Sequence, residues 1–235
     1  MGDPVLALGL FAFCLLLFAL PLSFWALGGD SLSPAVTLTI AVSNFALTAQ
    51  LIFRWWQSSH FPISNLYESL CFLAWACTLV QLFAQRSWPS PLVSAISTPL
   101  ALLSIAFASF ALPESLHEAS PLVPALRSSW LVMHVSVIMC SYAALLIGSV
   151  FSIAVLFTDR GKSINIRSSS LGTGRFRSEG VMIEEEGDSQ SIQDLIPLRL
   201  NDSEQLDNLS YRTISFGFLL LTIGLISGAV WANEA

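Results

Sequence analysis

Charge is scarce in this sequence. Only 11% of its 235 residues are charged and 54% are hydrophobic, whereas soluble domains carry about 25% charged residues. The net charge of −6 leaves no basic footprint for nucleic acid. Ten of the sixteen acids lie between Asp159 and Asp207, so the remainder is nearly charge-free. Charged side chains are missing from the middle of every apolar run, which argues against a proton-coupled transporter. The four cysteines, Cys14, Cys71, Cys77 and Cys140, lie inside apolar runs and form no Cys-x-x-Cys pair. Disulfide exchange and zinc binding are therefore disfavoured.

What remains is long apolar runs. Six can be drawn, at roughly Val5–Leu27, Pro34–Phe53, Leu66–Phe83, Pro91–Leu112, Trp130–Phe157 and Thr213–Val230. Each is long enough to cross a hydrocarbon core of about 30 Å. The pattern predicts an all-α, polytopic helical membrane protein in contact with lipid. Spans one to five occupy residues 1–157, a polar segment 158–212, and a sixth span 213–235. The fourth run is the weakest, because Pro99 and several serines leave an interfacial or kinked segment open. Trp25, Trp55, Trp56, Trp88, Trp130 and Trp231 fall near the proposed span ends, as an aromatic belt requires. The opening Met-Gly-Asp-Pro lacks the positive n-region of a signal peptide, and Leu6 stands where myristoylation wants Ser or Thr.

Basic residues give the orientation. The side that holds the 158–212 segment collects Arg86, Arg160, Lys162, Arg167, Arg175, Arg177, Arg199 and Arg212; the other has only Arg54 and Arg127. Eight against two places the long segment inside. His60, His117, His134 and Trp231 then lie at the outer face. The segment combines a Ser/Gly-rich basic stretch, Arg167–Arg175, with the acidic run Glu184–Asp188. With few aromatics to bury, it is expected to be poorly ordered. Its Gly172-Thr-Gly174 has neither the preceding strand nor the following helix of a phosphate loop.

His134 is the readily ionisable group in an otherwise uncharged stretch from Arg127 to Asp159. Neutral imidazole is a common metal ligand, yet a histidine hydrogen-bonded inside a helix bundle fits the residues equally well. Around it, His134, Ser141 and Gly148 recur every seven residues, with Ser152 one turn beyond. This small and polar stripe is expected to face protein. Gly224 and Gly228, with Gly217 on nearly the same face, form a small-xxx-small pair that lets another helix approach closely. A membrane b-type cytochrome would need paired histidines across the bundle, and only His134 lies inside a span. Before span three, Asn65 and Glu68 have the spacing of a capping box for a helix opening at Leu66. His60 and Glu68 are either a surface for a partner or ligand, or an interfacial histidine and a helix cap; the cap is favoured.

Two stretches carry a resemblance. His60-Phe-Pro-Ile-Ser-Asn-Leu-Tyr-Glu-Ser69 and Trp130-Leu-Val-Met-His-Val-Ser-Val-Ile-Met-Cys-Ser-Tyr-Ala-Ala144 are similar to the CcsA family, haem-handling proteins of plastid and cyanobacterial (system II) cytochrome c biogenesis. The closing Gly228-Ala-Val-Trp-Ala-Asn-Glu-Ala235 resembles the lead-in to that family's tryptophan-rich WWD motif. The resemblance implies a multi-pass thylakoid membrane protein that, with CcsB, presents haem on the lumenal side to apocytochromes c of the cytochrome f and c6 type. It makes His134 an axial ligand of haem iron, the cofactor-binding and metal-ligating residue. Cys-x-x-Cys-His is absent here, so the chain is not itself a c-type cytochrome. Because the sequence stops at Ala235, where the WWD segment should start, the second axial ligand is expected to lie outside it and the chain alone to be inactive in haem attachment. A related haem exporter and a non-catalytic helical scaffold for an assembly factor are the alternatives.

Overall fold

The computed structural model describes residues 4–28, 33–118, 128–158 and 202–234. The expected disorder of residues 159–201, with the Ser/Gly-rich and acidic stretches, lies outside the described residues.

Six helices follow the apolar runs: α1 (Pro4–Ala26), α2 (Ser33–Ser58), α3 (Leu66–Ser87), α4 (Pro91–Ala106), α5 (Ser129–Thr158) and α6 (Asp202–Glu234). All six are long and apolar enough to cross a membrane, α4 together with the turns that extend it to Ala111. No strand occurs among the described residues. Large apolar side chains such as Trp25, Phe45, Trp56, Leu103 and Leu156 are exposed. An outward surface of this kind suits lipid and would be a liability in water. The molecule is thus a multi-pass helical membrane protein.

Local chemistry sets the helix ends. At the start of α3 the Asn65 side chain accepts from the Glu68 backbone N–H at 2.9 Å, satisfying one of the unpaired first-turn donors. The capping box is therefore present, but its return bond is displaced by one residue: Glu68 accepts from the backbone N–H of Ser64 at 2.8 Å. Ser90 caps α4, with Pro91 opening it at a position where the missing N–H costs nothing. The weak fourth run is helical and, with its extension to Ala111, long and apolar enough to cross a membrane. Pro99 sits inside α4, and the helix loosens into a π turn at Phe107–Ala111.

Helix α3 is central, touching α2, α4 and α5, while α1 closes the bundle against α2 and α4. Leu16, Leu47, Ile105, Ile147 and Phe151 form its fully buried interior. Helix α6 is held mainly by α5, in the most extensive helix contact of the molecule. That helix also begins earlier than expected, at Asp202 rather than Thr213. Its added turns bury Leu206, Leu209 and Ser210, spaced to share one face. Charges at Asp202, Glu204, Asp207 and Arg212 hide this amphipathic pattern from a hydropathy reading. The last part of the expected polar segment therefore belongs to α6.

Candidate metal-ligating site

The α5–α6 hairpin is built on absent side chains. A Cβ on Gly148 would lie 2.6 Å from Ile214, one on Gly217 would lie 2.9 Å from Leu145, and one on Gly224 would lie 2.5 Å from Ile138. Small residues here let the two backbones approach within reach of cross-helix hydrogen bonds. Ser141 donates to the Gly217 carbonyl at 2.7 Å. Ser210 donates to the Gly148 carbonyl at 2.8 Å, and Ser152 meets Ser210 at 2.6 Å. The stripe of His134, Ser141, Gly148 and Ser152 thus faces α6 throughout, and the glycine pair of α6 is its counterpart.

His134 ends this zipper. Its Nδ1 lies 2.7 Å from the carbonyl oxygen of Gly224. A carbonyl only accepts, so Nδ1 carries the proton and donates, which leaves Nε2 with its lone pair in the neutral ring. The imidazole packs against the bare Cα of Gly228, where a Cβ would lie 2.5 Å from Nδ1 and 3.1 Å from Nε2. Ser227 donates to the same Gly224 carbonyl at 2.8 Å. The ring is therefore fixed in tautomer and direction by α6, the arrangement that orients metal-binding histidines generally. It is half-buried near the N-terminal end of α5. Trp231 follows Gly228 by less than a turn, and its indole Nε1 is buried with no hydrogen-bond partner.

Among the described residues no group of three or more His, Cys, Asp or Glu could hold a bare metal ion. A single oriented imidazole is, however, the protein ligand that haem iron needs, because the porphyrin supplies the four in-plane nitrogens. The donor set fits that cofactor and does not fit a structural zinc, which takes four protein ligands.

The other histidines serve local structure. His60 Nδ1 lies 3.2 Å from the Phe61 carbonyl. His117 Nε2 contacts the Ala108 carbonyl at 3.1 Å, and its ring lies tilted against Tyr67 with centroids 4.7 Å apart. Glu68 is 1% exposed and Arg54 3%, so Glu68 is no surface for a partner. Arg54 Nε donates to Glu68 Oε1 at 2.8 Å, Arg54 Nη1 donates to the His117 carbonyl at 2.6 Å, and the Ser64 hydroxyl donates to Glu68 Oε2 at 2.7 Å. Asn65 Nδ2 reaches the Leu116 carbonyl at 3.1 Å. This buried cluster ties the end of α2, the start of α3 and the segment after α4 together. Its signal in the sequence was a lone base ending one uncharged run and a lone acid opening the next.

Comparison with known proteins gives the family. Residues 63–235 match the family described as cytochrome C assembly protein. The chain is 68% identical over 235 residues to the cytochrome c biogenesis protein CcsA of Prochlorococcus marinus (strain MIT 9313), covering 100% of this chain and 74% of that protein. It is 65% identical over 233 residues to the CcsA of Synechococcus sp. (strain CC9311), covering 99% of this chain and 76% of the relative. The CcsA of Parasynechococcus marenigrum (strain WH8102) is 62% identical over 233 residues, covering 99% and 75%. A family match over most of the chain and close identity along its whole length have one meaning: this protein belongs to the cytochrome c assembly family, among its CcsA members.

Proposed function

We propose that this protein serves c-type cytochrome biogenesis by holding haem at the outer membrane face, with His134 as an axial ligand of the iron. The observation that carries the proposal is the hydrogen bond from His134 Nδ1 to the Gly224 carbonyl, which leaves Nε2 as a pre-oriented Lewis base. Haem, when bound, supplies the vinyl groups that become thioethers with the thiols of an apocytochrome. The chain's own contribution is positional. Gly224 and Ser227 fix the ligand, Gly228 makes room for its ring, and the apolar α5–α6 surface at the outer end suits an amphiphilic porphyrin. Trp231 offers an aromatic face and an unused N–H at the same end of the hairpin. The eight-to-two distribution of basic residues supports the lumenal side of a thylakoid membrane as that outer face. Partners of the corresponding chemistry are CcsB and apocytochromes c of the cytochrome f and c6 type.

The test replaces His134 in a cyanobacterium whose own copy has been removed. His134→Ala is expected to leave the protein in the membrane while c-type cytochromes fail to accumulate. Normal cytochrome accumulation with normal protein level would refute the ligand assignment and leave a structural histidine in a helical scaffold.

A further inference from the structure

Among the described residues six buried side-chain polar atoms lack a hydrogen-bond partner, and five of them lie on α2, α3 and α4: Gln50 Oε1, Arg54 Nη2, Gln81 Oε1, Gln85 Oε1 and Ser97 Oγ. Each parent side chain is at most 5% exposed. In the α5–α6 contact Ser141, Ser210 and Ser227 are equally buried and bonded, and the sixth unpartnered atom, Trp231 Nε1, lies near the end of α6.

These atoms lie along a polar seam on α3. Glu68, Cys71, Thr78, Gln81 and Gln85 recur at helical spacing, over a rise of about 25 Å at 1.5 Å per residue. Gln50 Nε2 bonds the Tyr67 hydroxyl at 3.0 Å and reaches Cys71 Sγ at 3.5 Å. Asn44 bonds Thr78 at 2.8 Å. Gln81 bonds Thr98 at 3.0 Å and Gln85 bonds Ser94. Within a membrane no solvent reaches such groups from the lipid side, and leaving five unsatisfied would cost as much as the net stability of a typical domain. A buried water typically makes about three hydrogen bonds to groups of this kind.

We propose that this polar seam binds water at two separate stations. At the outer station Gln50 and Arg54, one turn apart on α2, present an acceptor and a donor to the same molecule. At the inner station Gln81 and Gln85, one turn apart on α3, face Ser97 of α4. Water is the ligand this chemistry selects: the polar groups are neutral except for Arg54 and Glu68, and those two offset each other. The outer station lies beside that ion pair.

Hydroxyl-radical footprinting in lipid nanodiscs, read by mass spectrometry, tests this, because radicals formed from bound water oxidise the side chains beside it. Cys71 on the seam and Cys77 off it are each 1% exposed, so the native protein contains its own control. Cys71 is expected to be oxidised several-fold faster than Cys77. For the inner station, Ser97→Cys is expected to be oxidised several-fold faster than Ala95→Cys, and adding Gln81→Leu with Gln85→Leu should remove that excess while leaving Cys71 unchanged. Equal rates for Cys71 and Cys77 would overturn the outer station in a protein carrying no substitution. Equal rates for the two introduced cysteines would overturn the inner one.

Discussion

Gly228→Ala separates the stability of the hairpin from the chemistry of its histidine. The new methyl group would lie 2.5 Å from His134 Nδ1 and 3.1 Å from Nε2, so the ring must swing away and release the Gly224 carbonyl. Losing that hydrogen bond costs about 1 kcal/mol, and replacing a helical glycine by alanine returns about 1 kcal/mol. The two nearly cancel, and the folded yield should stay close to wild type. Ligation does not cancel, because loss of the group that orients a metal-binding histidine typically lowers affinity about 10- to 100-fold. The assay is a titration of haem into the detergent-purified protein, followed by the Soret absorbance, alongside a thermal unfolding curve. Gly224→Ala is the contrast. Its methyl group would lie 2.5 Å from Ile138, a branched side chain on the facing helix, and overpacking of this kind costs about 1–3 kcal/mol. Wild-type haem affinity in a folded Gly228→Ala protein would refute the role given to the α6 notch.

Other outcomes follow from the same contacts. Single cysteines at Ser58 and Ser170, in a background lacking the native four, should label from opposite membrane faces; labelling from one face would contradict the topology. Removing one partner of the buried ion pair, as in Arg54→Met or Glu68→Gln, should cost about 3–5 kcal/mol in thermal unfolding, more than replacing both with apolar residues of similar volume. A single variant that unfolds like wild type would mean that the pair is solvated. Gly224→Leu should abolish accumulation of the protein in the membrane, since a side chain of that size cannot fit against Ile138, and normal accumulation would place this face in lipid.

The span count was legible because apolar runs of this length have few other uses, and the seven-residue stripe on α5 was legible because helical periodicity puts it on one face. The glycine pair identified a close contact without naming its partner. Which carbonyl His134 would meet was not legible, since that depends on the register between α5 and α6. The start of α6 was missed because its charges outweigh the Leu206, Leu209 and Ser210 face in any average over a window. The Arg54–Glu68 pair was missed for a related reason: fourteen residues apart in sequence, they meet only when the chain between α2 and α3 turns back on itself. The unpartnered groups of α2, α3 and α4 were invisible too, because isolated glutamines and serines in apolar runs look alike whether they are paired or not.

The central claim is that His134 Nε2 coordinates haem iron. It is tested most directly by titrating haem into the purified wild-type, His134→Gly and His134→Ala proteins and recording the absorption spectrum with and without added imidazole. Wild type should give a histidine-ligated spectrum that both variants lose, while the variants remain folded. Imidazole should restore that spectrum to His134→Gly, where a free imidazole can enter the vacated volume, and only weakly to His134→Ala. An unchanged spectrum and unchanged affinity in His134→Gly would contradict the claim and leave His134 as a structural contact between two helices.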